Sequence, residues 1–278
     1  MAPLAHTLAL LAMTVATAAI HVNVVGMAQD TFDDQYRGCS CAMTAALPAL
    51  NRSEFQKNLV FARVWAKAKE EWERWGFRVP PLSSPEQAIA VMAYTTNDLR
   101  KEFNDAMRKA GRSPQEYRDN FHFKTFHFLL THALGTLRDD QNMQCRRVFR
   151  GVHDVHFKAQ CGQTIRFSQF TTTSLSKETA QKYRTDTIFQ VHTCYGVDIQ
   201  NFSFSCSNHP VLIPPYETFE VTEVTQEGNK SQIKLRSTGT FSKYNCEWLK
   251  GGSISMVPFR LGGFILVTTA LTVATTIL

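Results

Sequence analysis

A chain of 278 residues with 44% hydrophobic content can bury a sizeable core, which excludes a disordered tail or a fibrous repeat as its basic form. The formal charge is +6, and 30 Lys and Arg are spread among 24 acidic residues instead of forming a block. Nothing in that distribution points to nucleic acid.

The chain opens with an apolar run over residues 4–19, LAHTLALLAMTVATAA, followed by small residues. This reads as a secretory signal peptide within residues 1–29, with the domain occupying 30–250. Seven cysteines, Cys39, Cys41, Cys145, Cys161, Cys194, Cys206 and Cys246, fit an oxidising compartment, and the odd number leaves at least one free or paired with another chain. Cys39 and Cys41 lack the spacing of a CxxC redox motif, so disulfide bonding is their expected use. The sequons at Asn51, Asn201 and Asn229 are compatible with surface glycosylation.

Residues 53–140 carry helical periodicity. In SEFQKNLVFARVWAKAKEEWERW, Phe55, Leu59, Ala62, Ala66 and Trp72 form one apolar stripe, closed by Gly76 and Pro80-Pro81. Trp65, Trp72 and Trp75 read as packing residues. Ser84-Pro85 and Ser113-Pro114 each place a capping residue before proline, predicting two further helix starts. His122, His127 and His132 recur every five residues, which walks them around a helix and makes a poor metal site.

The texture changes after Cys145. In CRRVFRG, Arg150 ends an apolar strand before glycine, where a guanidinium is free to hold a phosphate or carboxylate in bidentate fashion. VHFKAQ, TIFQVHTC, ETFEVTEV and SQIKLRS alternate as half-buried strands. In IRFSQFTTTSLS, Thr171–Ser174 set four hydroxyls in a row. Helices followed by strands, with no long linker, predict a single α+β domain. The chain closes with small residues at Gly251-Gly252-Ser253, a spacer and the 15-residue apolar tail FILVTTALTVATTIL. That tail is shorter than the about 20 residues a membrane span needs, and residues 251–278 fit a removable GPI-attachment signal.

Taken in order, FDDQYRGC, FHFKTFHFLLTHAL, VFRGVHDVHFKA, IRFSQFTTTSLS, TIFQVHTCYGVDIQNFSF, VLIPPYETFEV and STGTFSKYNC resemble the vertebrate ecto-ADP-ribosyltransferases, the arginine-specific mono-ADP-ribosyltransferases. The resemblance covers residues 32–250. It implies a helical part packed on a two-sheet β core, an NAD cleft with no metal, and a surface enzyme that modifies exposed arginines of extracellular or membrane proteins. Arg150 falls at the family's phosphate-binding strand arginine. Thr172-Thr173-Ser174 match its Ser-Thr-Ser motif, with threonine replacing the first serine, and Tyr183 falls near its nicotinamide-packing ring. The implied bridges are Cys39–Cys246 and Cys145–Cys194. Cys41, Cys161 and Cys206 are then left over, Cys161–Cys206 being a candidate third pair.

The departure lies in SNHPVLIPPYETFEV. The family's Glu-x-Glu pair immediately precedes VLIPP, and here Asn208 and Pro210 occupy its two positions, with His209 between. Glu217 and Glu220 are the nearest substitutes. Glu217 lies roughly 23 Å beyond Pro210 if the chain is extended. Two functions follow: an NAD-dependent transferase with weak or lost activity, or a catalytically inactive, GPI-anchored binding or antigenic protein that keeps the fold.

Overall fold

The computed structural model describes residues 21–76, 80–181, 186–204, 209–228 and 230–251. Helices α1 (Ser40–Lys57), α2 (Leu59–Trp75), α3 (Pro85–Tyr94), α4 (Asn97–Ala110), α5 (Pro114–Asn120) and α6 (Lys124–Asp140) form the first half. Strand β1 (His21–Val24) precedes them. Strands β2 (Arg146–Val152), β3 (Val155–Lys158), β4 (Thr164–Arg166), β5 (Thr171–Ser174), β6 (Thr187–Thr193), β7 (Val197–Asp198), β8 (Pro210–Ile213), β9 (Glu217–Glu227) and β10 (Lys230–Thr240) follow. The predicted α+β arrangement is the observed one.

The helical stripe predicted from residue 53 needs correction. Asn58 interrupts it: its N–H donates to the Glu54 carbonyl at 2.8 Å, closing α1, and its side chain accepts from the Phe61 N–H at 2.8 Å, opening α2. The break turns the second helix, so Phe61, Val64, Trp65 and Ala68 are buried while Leu59 is 76% exposed. Trp72 and Trp75 pack at the edge of the same core. Of the two Ser-Pro starts, Ser113 accepts a hydrogen bond from the Glu116 N–H, whereas Ser84 makes no side-chain cap.

α6 runs through the helical core, where Phe103, Phe126, His127 and Phe170 pack ring against ring. Its N-terminus is held by the buried Glu54 carboxylate, which accepts from Lys124 N at 2.6 Å and Thr125 N at 2.9 Å. His127 is fully buried and hydrogen-bonds the Tyr36 hydroxyl at 2.8 Å. Burial pushes its pKa down to about 3, so the ring is neutral. Among the described residues no group of three His, Cys, Asp or Glu is placed to hold a metal ion.

The main sheet has the order β4-β9-β10-β6-β2-β5-β8-β7, with β10 and β6 parallel. It is continuous through only one residue pair, Phe149 of β2 with Ser174 of β5. On either side of that joint the two halves pack face to face, Val148, Val191 and Leu235 of one against Val211 and Ile213 of the other. The opposite face of β8 is covered by helices, since Leu212 belongs to the helical core. This double covering explains why VLI is uniformly apolar. The apolar run is not one strand, because β8 stops at Ile213 before Pro214-Pro215 and β9 continues elsewhere, between β10 and β4.

Residues 21–29, which the sequence reading placed with the leader, pack on the domain. β1 pairs in parallel with β3, and Arg166 N donates to the Gly26 carbonyl at 3.0 Å. The fully buried Arg166 pairs with Asp33 at 2.5 Å and also donates to the Met27 and Phe241 carbonyls. Asp33 in turn accepts from Lys243 N and Tyr244 N. Gly111 lies under this segment, where a Cβ would stand 2.4 Å from the Thr31 carbonyl.

The disulfides are Cys39–Cys246 and Cys145–Cys194. Cys41 and Cys161 are exposed and without a disulfide among the described residues; Cys206, the other half of the candidate third pair, lies outside them.

Candidate functional site

Beyond the single bridge between Phe149 and Ser174, β2 and β5 diverge, and the space between them is a cleft of about 380 Å³. β2 contributes Arg150 and β5 contributes Thr172 and Ser174. Pro210, at the start of β8, forms part of the wall, and Thr95 and Arg100 close it from the helical side. Four residues separated by up to 60 positions in the chain, Arg150, Thr172, Ser174 and Pro210, line this one cleft. Tyr183 and Asn208 lie outside the described residues.

Arg150 is half-buried and donates through Nη1 to the Thr172 carbonyl at 2.9 Å. Among the described residues it has no carboxylate partner. Burial, with the positive Arg100 nearby, holds its pKa below the ordinary arginine value, although a guanidinium keeps its charge. An anion entering the cleft would relieve that cost. Tyr94 supports the same wall. Its hydroxyl donates to the Phe170 carbonyl at 2.6 Å, accepts from Asn104 Nδ2 at 3.2 Å and lies within reach of the Thr172 side chain.

Pro210 is buried beside Ser174, its β5 partner, and its carbonyl accepts from Ile199 N at 3.0 Å. Proline is tolerated there because it opens the strand, where a missing N–H costs least. His209, the residue before it, has a positive φ of 41°, an uncommon backbone for a side chain of this size. No Asp or Glu lines the cleft among the described residues.

Neither proposed substitute is near. Glu217 is fully buried at the start of β9, where it accepts from the Thr193 hydroxyl at 2.5 Å and Cys194 N at 2.7 Å. Burial raises its pKa to about 7, with those hydrogen bonds opposing the shift. Glu220, farther along β9, pairs with Arg236 at 2.6 Å. The reason is the break at Pro214-Pro215, which sends β9 away from β8.

Arg100 was missed. A signal existed: Lys101 and Arg108 each have Asp105 within one helical turn, and Arg100 has only Thr96, Asn97, Phe103 and Asn104 at the corresponding positions. Its helical partner is the neutral Asn97 carboxamide, and an arginine without a carboxylate partner keeps its charge available to a ligand.

A helical layer on splayed strands, with a strand arginine facing a row of hydroxyls, defines the class as an ADP-ribosyltransferase fold. The chain belongs to the NAD:arginine ADP-ribosyltransferase family, whose model matches residues 25–243. It is 48% identical over 230 residues to NAD(P)(+)--arginine ADP-ribosyltransferase 2 of Gallus gallus, covering 82% of this chain and 73% of that protein. It is 46% identical to the GPI-linked NAD(P)(+)--arginine ADP-ribosyltransferase 1 of Oryctolagus cuniculus, covering 81% and 74%. The crystal structure of the eukaryotic mono-ADP-ribosyltransferase ART2.2 superposes with a TM-score of 0.69 at 35% identity, over 80% of this chain and 98% of that one. A variant of that enzyme has been solved in complex with NAD.

Proposed function

We propose that this chain is a cell-surface member of the arginine-specific mono-ADP-ribosyltransferases that keeps the NAD cleft and has weak or lost transfer to protein arginine. The observation that carries this is Pro210 in the cleft wall beside Ser174, with no carboxylate lining the cleft among the described residues.

Breaking the bond between nicotinamide and ribose builds positive charge on the sugar, and a carboxylate placed against it stabilises that charge. A proline ring offers neither charge nor hydrogen bond. Losing one such group costs about 100- to 10,000-fold in rate, or about 3–5 kcal/mol of barrier. Arg150 and Arg100 remain to hold the diphosphate, and the hydroxyls of Thr172 and Ser174 remain to bind the ribose and nicotinamide end. Asn208, where the family has its acceptor-orienting acid, keeps hydrogen bonding and loses the charge that would attract an arginine.

The same observation favours the second reading, a catalytically inactive surface binding or antigenic protein. The apolar run over residues 4–19, the tail over 251–278 and the GPI-linked relatives support delivery to the cell surface through a lipid anchor, facing extracellular or membrane proteins with exposed arginine.

Both readings meet one experiment: NAD hydrolysis and ADP-ribose transfer to free arginine by the full chain from a secretory host, beside the Asn208→Glu, Pro210→Glu double variant. A silent natural chain and an active variant establish a retained cleft without its chemistry. Equal turnover by the two would show that another residue has taken the glutamate's role.

A further inference from the structure

Asn201 opens the sequon Asn201-Phe202-Ser203 at the edge of the cleft. Ile199, Ser203 and Pro210 line the cleft, and their chain neighbours Gln200, Asn201 and His209 line a separate open space of about 660 Å³, with Asp140, Arg146 and Asp198 on its rim. The two spaces are therefore neighbours across these segments. Asn208, where the family has its acceptor-orienting acid, is next in the chain to His209.

The local fold presents Asn201 and hides its neighbours. It sits in a single 3₁₀ turn, Gln200–Phe202, in which Phe202 packs into the helical core and Ser203, just after, is buried, whereas Asn201 is exposed. The turn is held from below. Gln200 N donates to Asp198 Oδ1 at 2.8 Å, and Gln141 brackets Asp198, donating to its carbonyl at 2.9 Å and accepting from its N–H at 3.0 Å. A group attached to Asn201 Nδ2 would leave the surface from a fixed point beside the cleft. The adjoining space is polar, and Asp140, Asp198 and Arg146 offer sugar hydroxyls both acceptors and donors. Of the other two sequons, Asn51 lies inside α1 with its Oδ1 buried, and Asn229 lies outside the described residues. Because Ser203 is buried once the fold forms, the sequon must be read before folding, on a chain entering the secretory pathway.

We propose that Asn201 carries an N-linked oligosaccharide, and that this glycan bars folded proteins from the acceptor end of the cleft while NAD and free arginine still enter. Attachment forms a bond from Asn201 Nδ2 to the anomeric carbon of the sugar, breaks that carbon's bond to the diphosphate of a lipid-linked donor, and releases the Nδ2 proton. The selectivity is one of size. A branched chain on a fixed root obstructs a partner that must bring a whole surface into register, and leaves room for a small molecule. The barrier rests on the proposed cleft, whereas the modification requires only the secretory route.

The test uses the full chain from a secretory host. Peptide mass analysis after peptide-N-glycosidase treatment in heavy-oxygen water should find position 201 converted to labelled aspartate, and an unlabelled Asn201 would overturn the whole proposal. The barrier is read in the Asn208→Glu, Pro210→Glu background with and without Asn201→Gln, as ADP-ribose transfer to free arginine and to lysozyme, a folded protein with exposed arginines. Enzymatic removal of the glycan from the folded chain gives the same comparison if Asn201→Gln fails to fold. Loss of the glycan should raise transfer to lysozyme about tenfold and change transfer to free arginine by less than about twofold. Equal transfer to lysozyme with and without the glycan, or the same rise for both acceptors, would overturn the barrier and leave the cleft reading standing. Silence with free arginine in every form would mean that the cleft reading has failed and the barrier with it; label at position 201 would still establish the modification.

Discussion

Arg150 and Arg166 are both strand arginines on the same sheet, and the protein uses them in opposite ways. Arg166 has 0% side-chain exposure, an ion pair to an equally buried Asp33 and carbonyl partners at Met27 and Phe241. Each of the three guanidinium nitrogens donates to the chain itself, and the outcome is an anchor for residues 21–33. Arg150 has a single carbonyl partner and opens onto the cleft. A buried cation that the fold fully satisfies is structural; one left short of acceptors at a cavity is held ready for an anion.

The comparison is broken most severely at the anchor. Asp33→Asn strands the Arg166 charge and should lower unfolding stability by about 3–5 kcal/mol, measured by denaturant titration. A loss below about 1 kcal/mol would mean that the carbonyls alone satisfy the guanidinium.

Glu217 supplies a buried charge of a third kind, satisfied by hydrogen bonds without a cation. Its pKa is raised from the ordinary 4.5 to about 7, so the folded protein holds this proton more tightly than the unfolded chain does. The associated stability is complete below about pH 4.5 and is lost as pH rises through about 7, amounting to about 3 kcal/mol. Glu217→Gln should flatten that part of the Tm profile between pH 5 and 8. An unchanged slope would show that Glu217 ionises normally in the fold.

At Arg150 the expected loss moves from stability to binding. Arg150→Gln should weaken NAD by about 10- to 100-fold while stability shifts by less than about 1 kcal/mol. A large fall in Tm instead would place Arg150 with Arg166 as an anchor. The smallest effect belongs to Thr172→Ser, which restores the family's serine by removing one methyl group. NAD affinity should change by less than about threefold, since the hydroxyl is kept; a larger gain would show that the methyl group crowds the cleft.

Sequence alone carried the α+β class, the strand arginine and the hydroxyl row, because each is written in local alternation or in short ordered blocks; the reading of Asn208 and Pro210 at acidic positions came with the family resemblance. The cysteine pairs came with the family resemblance and were found where it put them. Asn58 was misread because a residue that ends one helix and starts another leaves the hydrophobic period nearly intact, and only the new direction of α2 shows that Leu59 faces solvent. Residues 21–29 fall within the approximate leader range, and their contacts with Arg166, far along the chain, show only in the tertiary structure. The fate of Glu217 likewise could not be read from its distance to Pro210. The chain leaves β8 at Pro214-Pro215 and crosses to another part of the sheet, and that lateral placement, set by pairing with β10 and β4, decides whether a carboxylate is buried structure or reaches the cleft.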